Sequence, residues 1–300
     1  MPPSKKYALH VGGGLGDIIL TYLHGYQGWG YYRSLKTKDP TCKIKLIITS
    51  KNPLAHTLFE HDPHINQIRS YPWENPMYYT PKEIWKYFPK YRHILWKDPN
   101  NRAKEHILLD RNRKLFNSLK KETPNSLFLS QNDKKQVDTI KQKSYVVLHP
   151  FAAGKERIVP DIEDYYKIAK EIISRFGYSI VVLGNNNKPQ KPQGEYFEED
   201  FPYTDKKIIN LVNKTNLRVN FKLVQRAIAF IGTASCYFCI GVASNRLPAI
   251  GFIPPEFESA ANRRMEAWSS ENTKAELIVA GPKSFKPNLA SVLKKLDSIK

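Results

Sequence analysis

Apolar residues along this chain fall into short runs, and the spacing within and between them predicts its elements. Tyr7-Ala8-Leu9-His10-Val11 is the first. Lys43 to Thr49, Ile65 to Tyr71, Ser144 to Pro150, Tyr178 to Leu183, Ile208 to Val212, Ile228 to Ile231 and Pro248 to Phe252 come after it. Runs of this length between turn residues predict buried strands. Helical spacing lies between them: Ile18, Ile19, Tyr22, Leu23, Tyr26 and Trp29 over 18–35, and Tyr165, Ile168, Ala169, Ile172 and Ile173 over 161–176. Pro53 to Glu60 predicts a short helix opened by proline. Asn220 to Ala227 predicts another, and a short one succeeds Ser235. Two successive strand–helix arrays predict an α/β protein of two doubly wound, Rossmann-like domains. The division expected is 1–143 and 144–300, with the polar, lysine-rich residues 122–143 as linker.

The segment 72–121 breaks the pattern and reads as an insertion in the first domain. Prolines 72, 76, 81, 89 and 99 punctuate it, and twelve Lys/Arg stand against four Asp/Glu between Lys82 and Lys121. Trp85, Tyr87, Phe88, Tyr91 and Trp96 lie among them. Basic side chains between aromatics neutralise phosphates while the rings stack on sugars or bases. Lys86, Lys90 and Arg92 are the candidates for that work. The plain alternative is a helix pair with its rings in the core and its lysines in water.

Charge strengthens the anionic reading. The 300 residues carry 47 Lys/Arg and 28 Asp/Glu, a net +19, which favours anionic partners without bearing on the fold. A solvated, lysine-rich surface is the bland alternative. Three cysteines imply no disulfide framework. No apolar run approaches the ~20 residues of a membrane span. Met1 to Lys6 lacks the apolar core of a signal peptide, so a cytosolic protein is expected.

The first chemistry-bearing stretch is Gly12-Gly13-Gly14-Leu15-Gly16-Asp17, between the first strand and the first helix. Gly14 and Gly16 let a ligand approach the backbone. The helix N-terminus suits an anion, and Asp17 stands where a carboxylate can act as general base. A dinucleotide fingerprint starting at Gly12 has Asp17 at its third glycine position, and no Gly-Lys-Ser/Thr comes next for a P-loop. A plain strand-to-helix turn capped by Asp17 is the alternative.

In the second half the candidates gather at strand ends. They are Lys155 and Arg157 in Gly154-Lys155-Glu156-Arg157, Gly184 before Asn185, and Gly232-Thr233-Ala234-Ser235 opening a helix. Small residues before a helix N-terminus seat a phosphate, with Thr233 and Ser235 adding hydroxyls. Lys155 and Arg157 would neutralise a diphosphate.

Three stretches carry a resemblance. Val11 to Leu23, with Gly16-Asp17, resembles the start of the ADP-heptose–lipopolysaccharide heptosyltransferase family, a GT-B group. Val146 to Pro150 through Arg157-Ile158-Val159-Pro160 is similar to that family's second-domain opening, and Asn210 to Phe252 matches the order of its last βαβ units. The resemblance implies two Rossmann-like domains facing across a cleft. It implies a nucleotide-diphosphate sugar as donor substrate, no cofactor, Asp17 as base and Arg157 on the donor. No Asp-x-Asp occurs to hold a metal. Two departures leave the sugar open. Gly232-Thr233-Ala234-Ser235-Cys236, with Cys239, stands where the family has Gly-x-Asp-(Ser/Thr)-Gly and histidine, and His24-Gly25 replaces a proline.

The function expected is therefore transfer of a sugar to a hydroxyl of an anionic acceptor, either lipopolysaccharide core or another glycan. That chemistry would bring the protein to the inner membrane surface, with no obligate protein partner evident. A DNA-modifying glycosyltransferase acting on a hydroxylated base, and a non-catalytic nucleotide-sugar or nucleic-acid binder, remain as alternatives. Cys236-Tyr237-Phe238-Cys239 lacks a second pair and reads as core packing. His56, His61 and His64 lack a metal-ligand spacing and read as surface.

Overall fold

A computed structural model of the chain describes residues 5–12, 14–16, 18–19, 36, 39–50, 53–72, 92–95, 127–152, 159–184, 201–244, 247–259, 274–281 and 285–298. The chain divides into two compact units, Met1–Phe128 and Leu129–Lys300.

The first unit is built on four parallel strands, β1 (Lys6–Gly12), β2 (Lys43–Ser50), β3 (Gln67–Pro72) and β4 (Arg92–Leu95), in the order β3-β2-β1-β4. Alternation sends Ile44, Leu46 and Ile48 to one face of β2, while Ile47 of β2 and Ala8 of β1 are buried too. Burial of both faces is what parallel strands require. Residues 15, 16, 18 and 19 are helical, Ile18 and Ile19 are fully buried, and the Ile18 N–H donates to Gly14 O at 3.1 Å. The rest of the helix expected over 18–35 lies outside the described residues, apart from Lys36, which is helical. Proline opens Pro53–Leu58 as expected, but as a 3₁₀ turn.

β4 departs from the plain alternative for 72–121, because a strand of the sheet lies at Arg92–Leu95 where that alternative had a helix pair. Arg92 begins it, paired with Tyr7, while Leu95 pairs with His10. In parallel register Arg92 is thus level with the start of β1, about 16 Å along the strand from Gly12. The backbone of Arg92 thus lies toward the amino end of the sheet, whereas ligands of such sheets sit at the carboxyl ends.

The second unit carries β5 (Tyr145–His149), β6 (Ser179–Val182), β7 (Ile208–Asn210), β8 (Ala229–Thr233), β9 (Ala249–Ile253) and β10 (Ala275–Val279). They pair in parallel as β10-β9-β8-β5-β6-β7. Counted within the unit this is 3-2-1-4-5-6 read from the other edge, the doubly wound dinucleotide-fold order. Among the described residues the helices of this unit are α1 (Gln131–Asp138), α2 (Ile162–Phe176), α3 (Leu217–Arg226), α4 (Cys236–Ala243) and α5 (Phe285–Asp297). Glu163 and Asp164 favour the N-terminus of α2, and Gly177 at φ 73° ends it in the left-handed conformation. Tyr165, Ile168, Ala169 and Ile172 form its buried stripe against Val146, Leu148, Ile180 and Val182.

The linker expected over 122–143 contains, among its described residues, the helix α1. Ser130 and Asp133 form a capping box around the start of α1. Asp133 also accepts from Asn216 Nδ2 at 2.7 Å and Arg218 Nε at 2.9 Å, tying α1 to α3. Burial alone would raise the Asp133 pKa, but the hydrogen bonds from Arg218, Asn216 and Ser130 hold it well below the usual carboxylate range.

Candidate functional site

In a doubly wound sheet the ligand crevice opens where connections leave two adjacent strands toward opposite sides, beyond their carboxyl ends. In the second unit those strands are β5 and β8, and their last pair is His149 with Gly232. The turns leaving these two strands build the candidate site.

After β5 the chain runs through Phe151, which organises its neighbours. The Thr233 hydroxyl donates to the Phe151 carbonyl, joining the ends of β8 and β5. The Phe151 ring fills the space over the Gly184 Cα at the end of β6, where a Cβ would collide with it. A Cβ on Gly232 would lie 2.5 Å from His149 O and 2.9 Å from Phe230 Cζ. From sequence these two glycines are expected to admit a phosphate; both are buried, and close packing against these neighbours accounts for them. Thr233 is 1% exposed and its hydroxyl is committed internally. It shapes the turn and offers no side chain to a ligand.

Ser235 is different. It is the N-cap of α4, half-buried, with Oγ accepting from Tyr237 N–H at 3.2 Å. The Ala234 N–H donates to Phe252 O at 2.8 Å, fixing the turn to β9. α4 thus begins at the carboxyl end of β8 with its Tyr237 N–H taken by the Ser235 cap, and the positive end of a helix there suits an anion.

Three buried polar residues that sequence reasoning left without a role stand around this turn. His149 is 4% exposed, and its Nδ1 meets Leu183 O at 2.9 Å. Burial pulls its pKa down to about 4, only partly offset by that hydrogen bond, so the ring is neutral near pH 7. Its ring lies 4.2 Å from that of Tyr237, centroid to centroid. Asn220 Nδ2 donates to Tyr237 Oη at 2.8 Å, and Thr215 Oγ1 donates to Asn220 Oδ1. A histidine closing the otherwise apolar strand 145–149 was the one signal in the sequence. Tyr237 and Asn220 look like ordinary helix residues there.

The remaining candidates are less defined. Gly14 is exposed, and its carbonyl begins the helical turn after β1. Gly16 is half-buried in that turn. Asp17, Lys155, Arg157, Lys86 and Lys90 lie outside the described residues, and Arg92 is described only in its backbone. Cys239 is buried in α4, as the core-packing reading expects, and burial pushes the Cys236 thiol up to about 12. Among the described residues, no three His, Cys, Asp or Glu side chains gather as a metal site would, and no helix is long and apolar enough to cross a membrane.

Comparison with known proteins places this geometry. The sequence model of glycosyltransferase family 9 (heptosyltransferase) matches residues 81–276. No curated protein gives a significant match. Among solved structures the chain is similar to E. coli ADP-heptose lps heptosyltransferase II, at 14% identity and TM-score 0.56 over 98% of both chains. It is also similar to the glycosyl transferase family 9 protein of Veillonella parvula DSM 2008, at 14% identity and TM-score 0.60, over 100% of this chain and 98% of that one. E. coli heptosyltransferase WaaC with ADP-2-deoxy-2-fluoro heptose matches at 12% identity and TM-score 0.56, over 98% of this chain and 99% of that one. The shared fold is GT-B, with two Rossmann-like domains.

Proposed function

Because the chain belongs to glycosyltransferase family 9 (heptosyltransferase), we propose that it moves a sugar from a nucleotide-diphosphate donor to a hydroxyl of an anionic glycan such as lipopolysaccharide core. The protein is a glycosyltransferase of GT-B fold. The second unit holds the donor, with the diphosphate at the α4 N-terminus beside Ser235. Lys155 and Arg157 neutralise charge that builds on the departing diphosphate, so the step needs no metal. The first unit supplies Asp17, which takes the proton from the acceptor hydroxyl as its oxygen attacks the anomeric carbon. Lys86 and Lys90 contact the anionic acceptor.

The observation that carries this reading is the α4 N-terminus at the switch point of a 3-2-1-4-5-6 sheet within the family match. The solved relative that holds an ADP-sugar analogue makes ADP the first nucleotide to test. A nucleoside diphosphate should raise the melting temperature, and Arg157→Ala should remove most of the rise. Binding to the native state alone adds about 2.7 kcal/mol at a hundredfold excess over Kd. Absence of any shift with ADP, UDP, GDP or CDP, with or without Mg²⁺, contradicts the proposal.

A further inference from the structure

We infer that Tyr237 is a positioning residue for the diphosphate seat: Asn220 holds its hydroxyl, His149 lies against its ring, and together they fix the first turn of α4 at the carboxyl end of β8. The inference rests on the donor site proposed above and adds residues to it.

The observations form one connected chain. Thr215, in the turn before α3, donates to Asn220 Oδ1, and Asn220 Nδ2 donates to Tyr237 Oη at 2.8 Å. Tyr237 occupies the second position of α4, and its own N–H is capped by Ser235 Oγ at 3.2 Å. Its ring meets His149 at 4.2 Å, and His149 Nδ1 reaches Leu183 O at the end of β6 at 2.9 Å. The turn that would hold an anion is therefore set against α3 from one side and against β5 and β6 from another.

Core packing alone does not call for this chain. Asn220 is fully buried on the apolar face of α3, among Leu217, Phe221 and Val224. An amide there is costly unless both ends are hydrogen-bonded, and an apolar side chain would pack α3 without that demand. A fully satisfied polar chain fixes one geometry where apolar contacts tolerate several. Preorganised N–H donors hold a phosphate only if they do not turn away, so rigidity here serves binding.

The test compares ADP binding, by calorimetry, in the full-length protein and three variants. Tyr237→Phe removes only the hydroxyl. Asn220→Leu with Tyr237→Phe removes the pair, so no amide is left unsatisfied and folding is protected. Tyr145→Phe is the control, since it deletes an equally buried phenol hydroxyl, bonded to Leu223 O at 2.8 Å, elsewhere in the unit. The inference expects a Kd raised about tenfold or more in both Tyr237 variants, and a wild-type Kd in Tyr145→Phe. It also expects faster hydrogen exchange at the first amides of α4 in Tyr237→Phe. Wild-type affinity in either Tyr237 variant, or equal loss in the control, overturns the inference and leaves the donor site standing. If the unmodified protein binds neither ADP nor UDP, GDP or CDP, the donor site itself is wrong and the inference falls with it.

Discussion

Two buried titratable side chains of the second unit set separate pH windows for its stability. His149 titrates near 4 when folded against an ordinary 6.5, because burial disfavours its charged form. As acid is added the unfolded chain takes up that proton first, so the contribution is complete above about pH 6.5 and declines toward pH 4. Asp133 lies below its ordinary 3.8, so its contribution is complete above about pH 4 and disappears only as pH falls further. Urea unfolding at pH 7, 5.5 and 4.5 should show stability falling across that range. His149→Phe should flatten the fall, by an amount on the order of 1–3 kcal/mol. Asp133→Ala should keep the slope but lose about 3–5 kcal/mol at pH 7, because Arg218, 11% exposed, loses the buried Asp133 carboxylate. An unchanged slope in His149→Phe would refute the first assignment. Neither role was legible in the sequence, since both come from partners 34 to 85 residues away.

At the scale of elements, legibility tracked the source of each element's stability. Strands β5, β6, β8 and β9 and helix α2 are held by apolar faces, and their runs and stripes stood out. Helix α1 buries only Asp133 and Val137. Its polar composition read as linker because its stability comes from a capping box and a cross-helix ion pair. β4 is four residues long and sits in a basic, aromatic stretch, so alternation had no room to register. β10 and α5 carried no reading at all. The glycines of the strand ends were visible, but whether a ligand or a neighbour fills the space over each Cα is a tertiary fact. Gly232→Ala should cost about 1–3 kcal/mol, because its Cβ would strike a backbone carbonyl that cannot swing aside. Gly281→Ala, with nothing within 4 Å of its added Cβ, should stay within about 0.5 kcal/mol. Thermal melts of the two variants check this, and equal losses would contradict it.

For the molecule as a whole, the two α/β arrays were legible from the order of their strands and helices, and the fold is shared with solved structures only 12–14% identical. The donor side is the better defined half of the proposed reaction, since the N-terminus of α4 and the polar chain beneath it have a fixed geometry. The acceptor side rests on charge. With +19 overall, binding of a polyanionic glycan should weaken as salt rises, and Lys86→Gln with Lys90→Gln should flatten that dependence while leaving ADP affinity unchanged. A salt-independent acceptor would return both lysines to the role of solvated surface. The central claim is sugar transfer with Asp17 as base. Its most direct test is the rate of nucleotide release from an ADP-sugar with a lipopolysaccharide-core acceptor, for the unmodified protein and Asp17→Asn. The account predicts release that requires the acceptor and falls on the order of 10²–10⁴-fold in the variant, while the variant still binds ADP. Release at the unmodified rate by Asp17→Asn would contradict it.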